Sequence, residues 1–165
     1  MQSSRFGTVD EAVTHAEGSG YRQRAMCYVT RGMNELLVFE HDASTNDPGV
    51  QLPAGGLELG ETPTQAAARE ALEETGLTQL GQPVYLGSCL WSRSNAGDPQ
   101  VWHYFQLTAP ASAPDAWTHT FTGGEEDIGL LFHLRFVSVF TPELTPDLGS
   151  HEYLPELLHL LQESR

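Results

Sequence analysis

The chain has no lysine; its cationic side chains are eight arginines. That excludes a phosphate loop built on a lysine and any chemistry that runs through a lysine Schiff base. Against those eight stand 22 acids, a formal charge of −14. Duplex nucleic acid is therefore not an expected partner, because phosphate contacts need clustered cations. Cysteine is nearly as scarce. Cys27 and Cys89 lie far apart with no C-x-x-C spacing, which argues against a disulfide framework and a cysteine-based zinc site. Both sit in apolar, strand-like segments and are expected as buried thiols. No apolar run reaches the roughly 18 residues of a membrane span, and the start, MQSSRFGTVDEAV, carries no apolar signal core. The expectation is a cytoplasmic protein with no membrane partner.

What is present suffices for one core. A chain of 165 residues, 39% of them hydrophobic, reads as a single domain over 1–165, without internal repeat or linker. Thr8 and Glu11 open a short amphipathic turn through Ala12, Val13 and Ala16, broken at Gly18-Ser19-Gly20. Strands are expected over 24–30, 35–40, 50–53, 84–91, 101–107 and 130–140, from β-branched and aromatic runs bounded by turn residues. Alternation along 101–107 sends Trp102 and Tyr104 to one face, and Val101, His103 and Phe105 to the other. The stretch 108–127, rich in Ala, Pro and Gly, reads as a loop. Leu154, Leu157, Leu158 and Leu161 repeat at helical spacing and close the chain with a packing helix.

The densest signal is Gly55 to Leu77, GGLELGETPTQAAAREALEETGL. Thr62 with Gln65 reads as an N-cap and capping box, and Pro63 falls at the first helical position, where its missing N–H costs nothing. Helix formers follow to Glu74, and Gly76 stops the helix in the left-handed conformation. Glu70, Glu73 and Glu74 stand at i, i+3 and i+4, so their carboxylates gather on one stripe. Like charges at that spacing cost roughly 0.2–0.5 kcal/mol per pair unless a cation intervenes. An all-oxygen cluster suits Mg²⁺ or Mn²⁺. Taken alone, the stripe reads first as a solvated acidic face and only second as a metal site.

The full pattern decides between them. Gly55, Glu61, Arg69-Glu70, Glu73-Glu74 and Gly76, with apolar Ala71 and Leu77, resembles the Nudix box with every position filled. The resemblance in motif covers this stretch, and the order of strands and helices around it also fits. It implies an α/β fold, the Nudix α/β/α sandwich on a mixed sheet. It further implies a Mg²⁺-dependent hydrolase (Mn²⁺ possible) cleaving a pyrophosphate bond in a nucleoside diphosphate linked to another moiety. By position in the motif, Glu73 and Glu74 are the principal metal ligands, and Glu70 is a further ligand or the general base. The resemblance also implies a backbone carbonyl ligand, which falls on Ala54, and an Arg69 that orients a box glutamate rather than touching substrate. Glu61 steadies the turn, reaches the metals through water, or simply favours the helix dipole.

Outside the box the expectations are looser. Glu125 or Glu126, before a late strand, is a candidate outer ligand or base, with a solvated acidic loop as the alternative. Trp102 and His103, with Trp91, Tyr104, Trp117 and His119, are candidates to shape a substrate pocket, although about half of these aromatics must be core. Arg93, in a loop beside Trp91, is the candidate phosphate contact. The tags that mark coenzyme A, ADP-ribose and dinucleoside polyphosphate specialists of the family are missing, which leaves the substrate open. Two other classes compete: a non-catalytic nucleotide-binding sensor on the same fold, and a prenyl-diphosphate isomerase relying on Cys89. A homodimer using Phe6, Tyr21 and the last helix is possible on sequence grounds.

Overall fold

The structure is a computed structural model that describes residues 4–42, 48–92, 98–123 and 129–164. Among them run β1 (Ser4–Arg5), α1 (Val9–Ser19), β2 (Arg22–Arg31), β3 (Glu35–His41), β4 (Ala54–Gly56), α2 (Pro63–Thr75) and β5 (Val84–Trp91). They are followed by β6 (Gln100–Thr108), β7 (Ala116–Thr120), β8 (Leu131–Ser138) and α3 (Leu154–Glu163).

Eight strands form one mixed sheet in the order β1-β5-β6-β2-β3-β8-β7, with β4 attached to β2. The β2–β6 pair is parallel from Arg22↔Gln100 to Thr30↔Thr108, and the other pairs are antiparallel. The second edge of β2 is divided. Its start, Arg24–Met26, pairs with β4, and its end, Thr30–Arg31, pairs with β3. That division lays the glycine-rich strand β4 beside the middle of the sheet.

Side-chain alternation then sorts the core into two layers. Ala25, Cys27, Val29, Phe105 and Leu107 meet Ala66, Ala67 and Ala71 of α2 on one face. Met26, Tyr28, Trp102 and Tyr104 meet Leu157 and Leu161 of α3 on the other. Helix α1 buries Ala12 and Ala16 against Val101, which alternation puts on the α2 side. The result is the α/β/α sandwich expected from the sequence.

Four local differences have physical causes. The expected strand over 50–53 reduces to a single bridge, Phe39↔Gln51, and regular pairing starts at Ala54. Pro53 has no N–H for a ladder; its carbonyl accepts from the Cys27 N–H at 2.8 Å. The stretch 108–127 contains β7, whose five residues pair with β8. Helix α1 runs through Gly18 and Ser19 and ends at Gly20 (φ +69°). Its capping box is half formed: Thr8 Oγ1 accepts the Glu11 N–H, while the Glu11 carboxylate turns to the Gly7 N–H. Phe6 and Tyr21, considered above for a dimer contact, flank His15 within the chain at centroid distances of 5.3 and 5.8 Å.

Candidate active site

Helix α2 forms as its sequence dictates. Thr62 Oγ1 accepts the Gln65 N–H at 3.2 Å, and Gln65 Oε1 accepts the Thr62 N–H at 2.9 Å. Gly76 caps the far end at φ +72°. Three of the helix's alanines, Ala66, Ala67 and Ala71, face the sheet with no measurable exposure. Small residues there let the helix axis approach β4 closely, which carries Glu70 and Glu74 into the interface at 6% exposure each.

The carboxylates are held from several directions. Glu74 Oε2 accepts the Ala54 N–H at 2.9 Å. Arg69 donates through Nη1 to Glu70 Oε1 at 2.7 Å and to Glu73 Oε2 at 3.2 Å. Its Nε and Nη2 grip both oxygens of Glu61 at 2.7 and 2.9 Å, and Nη2 also reaches the Gly56 carbonyl at 2.9 Å. Arg69 is thus far more than an exposed i,i+4 partner of Glu73; it ties the helix to the turn. Of the three roles open to Glu61, its contacts fit steadying the turn: it accepts from Arg69 and from the Glu58 N–H.

Environment separates the acids. The Arg69 guanidinium holds Glu61 below the usual carboxylate range. Burial pushes Glu70 up, with Arg69 pulling against it. Two glycines make the seats. A Cβ on Gly55 would overlap the Glu70 carboxylate, and one on Gly123 would overlap that of Glu73.

Among the described residues no three His, Cys, Asp or Glu side chains stand as a ready cation cage. The carboxylates turn instead to Arg69 and to the Ala54 N–H, which balance their charge. The donor set nonetheless fits a hard divalent cation. Every candidate ligand atom is oxygen, and the glycine seats leave the carboxylates free of side-chain crowding.

The expected substrate side chains fare differently. His103 has no exposure; Nδ1 lies 2.7 Å from Ser88 Oγ and Nε2 2.9 Å from Gln23 Oε1. Desolvation lowers its pKa to about 4. That corrects the expectation of a substrate contact: His103 is a neutral core residue with both ring nitrogens engaged. Trp102, 6% exposed, is buried on the α3 face. Its ring stacks on Trp91 at 4.4 Å, its Nε1 donates to Gln100, and the Arg24 guanidinium lies 5.4 Å from its centroid. Trp91 is the less buried ring of the pair. Arg93, Glu125 and Glu126 lie outside the described residues. Cys89 is fully buried on the α3 face, away from α2, and burial raises the Cys27 thiol. Neither is the accessible cysteine that the isomerase alternative needs.

Three contacts went unforeseen in the sequence. Gly123 seats Glu73, Trp117 donates to the Thr75 carbonyl at 2.9 Å, and His119 Nε2 stands 2.8 Å from the Glu73 carbonyl. The available signal was the alternation Trp117, His119, Phe121, Gly123 inside a stretch otherwise full of turn residues.

Comparison with known proteins agrees with this geometry. The chain is 39% identical over 64 residues to "Nudix hydrolase 21, chloroplastic" of Arabidopsis thaliana, covering 36% of this chain and 32% of that protein. It is 35% identical over 74 residues to an RNA pyrophosphohydrolase of Bartonella quintana (strain Toulouse), covering 38% of this chain and 43% of the relative. The matched part thus spans less than half the length of either relative. In fold it resembles a NUDIX hydrolase from Nitrosomonas europaea, with a TM-score of 0.61 at 21% identity over 85% of this chain and 89% of that one. The NUDIX domain description matches residues 20–152, and the chain belongs to that family.

Proposed function

We propose that this protein is a Mg²⁺-dependent pyrophosphohydrolase, with Mn²⁺ able to substitute. It cleaves a phosphoanhydride bond in a nucleoside diphosphate joined to another moiety. The observation that carries this reading is the gathering of Glu70, Glu73 and Glu74 against β4, around Arg69, in a chain of the NUDIX domain family. Glu73, Glu74, Glu70 and the Ala54 carbonyl are the atoms that would hold the cation. Bound there, it would offset the charge of a pyrophosphate and acidify a water for attack at phosphorus.

The chain's own residues supply the rest. Burial raises the proton affinity of Glu70, a direction that suits a proton acceptor. Arg69 holds helix and turn in register, so that the donors keep one geometry. Arg24 lies over Trp102 and acts electrostatically on Glu70. RNA carrying a pyrophosphate linkage, the class that the name of the Bartonella relative points to, presents the same kind of bond. The −14 charge disfavours extended polynucleotide contacts, so a small nucleotide derivative is preferred.

A substrate screen tests the reading. Nucleoside diphosphate derivatives and a 5′-triphosphorylated oligonucleotide are incubated with the protein and Mg²⁺, then with EDTA. Glu74→Gln should lower kcat about 10³-fold, the order expected when several kcal/mol of charge stabilisation is lost. Cleavage of no substrate, or full activity in the variant, sinks the proposal and leaves the nucleotide-binding sensor.

A further inference from the structure

The last turn of α2 is held from outside the box. A helix end leaves its final carbonyls without intrahelical donors. Leu72 O receives the Gly76 N–H at 2.8 Å, a local solution. Glu73 O and Thr75 O are met by side chains of β7, from His119 Nε2 and Trp117 Nε1. A carbonyl only accepts, so the His119 proton sits on Nε2.

Residues 117 and 119 point to the same side of the strand, and Gly123 follows on that alternation against the Glu73 carboxylate. Glu73 is therefore fixed at its backbone by His119 and given room at its carboxylate by Gly123. Gly76 serves this arrangement twice. It takes φ +72°, and a Cβ there would stand 2.7 Å from His119 Nδ1.

We propose that His119 and Trp117 are positioning residues for the carboxylate site: β7 clamps the last turn of α2 and so fixes the backbone from which Glu73 is aimed. This rests on the metal reading of the box. A strand that only packed against the helix would need apolar contact. These two ring N–H groups instead fall on two carbonyls flanking Glu74.

The test reads metal uptake without substrate. Mn²⁺ binding to the full chain is followed by the free-ion electron paramagnetic resonance signal and normalised to the folded fraction by circular dichroism. His119→Phe should weaken Mn²⁺ binding about 10-fold, and His119→Gln, which keeps an N–H donor, should recover most of it, since loss of an outer-shell partner costs about 10–100-fold. Trp117→Phe, which keeps a ring and deletes the donor to Thr75 O, should weaken binding in the same direction. A folded His119→Phe or Trp117→Phe protein that binds Mn²⁺ as tightly as the parent overturns the clamp. So does failure of both variants to fold, which would make the contacts supports of the fold alone. A parent that takes up no Mn²⁺ overturns the metal reading and the clamp with it, an outcome separate from variants that bind normally.

Discussion

The two faces of the sheet solve opposite problems. On the α2 face the helix presents Ala66, Ala67 and Ala71, comes close, and buries two carboxylates at 6% exposure. On the α3 face Tyr28, Tyr104, Tyr153 and Trp102 fill the space, and the three tyrosine hydroxyls donate to backbone carbonyls of Ser150, Gly149 and Ser88. One face buries carboxylates whose charge is balanced by a single guanidinium and a backbone N–H, and the other satisfies every hydroxyl among those three tyrosines. The first arrangement suits the cation site proposed above, and the second suits a wall that packs the sheet against α3. Stability should therefore depend on bound metal for changes on the α2 face and be indifferent to it for changes on the α3 face.

The largest expected effect comes from Arg69→Met. Removing the cation leaves Glu70 buried and Glu61 without its main partner, a loss of about 3–5 kcal/mol when one half of a buried pair goes. Mn²⁺ should raise the melting temperature of this variant more than that of the parent, because the ion replaces missing positive charge. Equal shifts in both proteins would show that Arg69 does not balance the metal carboxylates.

Next is pH. His103 titrates at about 4 in the fold against 6.5 in the unfolded chain. Between those values the unfolded state binds the proton and the folded state does not. Stability is therefore fully present above 6.5 and falls as pH drops toward 4, by about 3 kcal/mol in all at 1.36 kcal/mol per unit. Urea unfolding of the parent and of His103→Gln from pH 7.5 to 4 measures it. The variant should show a shallower acid limb, and parallel limbs would remove His103 from the account.

The smallest effect belongs to the α3 face. Tyr28 Oη donates to Ser150 O at 2.7 Å and accepts the Tyr153 N–H at 3.2 Å. Tyr28→Phe leaves both groups unmet and should cost about 1–3 kcal/mol. Mn²⁺ affinity and kcat of the folded variant should match the parent. A change in either would mean that the two faces are coupled, contrary to the contrast drawn here.

Much of the box was legible because its signals are local. Thr62, Gln65, Pro63 and Gly76 act within one turn of their own positions, so helix α2 follows from spacing alone. Strand faces were legible for the same reason: the split of Trp102 and Tyr104 from His103 and Phe105 is pure alternation. Whether a face holds a pocket or a core is not a local property, and His103 shows it. The alternation that placed it beside Phe105 could not reveal that Ser88 and Gln23 would occupy both ring nitrogens. Strand β7 stayed hidden because its five residues sit among prolines and glycines, and its pairing partner β8 supplies the ladder that propensity lacked.

By itself the sequence determined the family, the metal-type stripe of carboxylates, the helix ends and the two-faced strands, since each is written within a few consecutive residues. The tertiary structure decided which acids are buried, that Arg69 balances them, that Gly55 and Gly123 seat them, and that β7 holds the end of their helix. Those depend on contacts between residues far apart in the chain, such as Glu73 with Gly123 and His119. No local pattern encodes a contact whose partner is set by how the sheet closes.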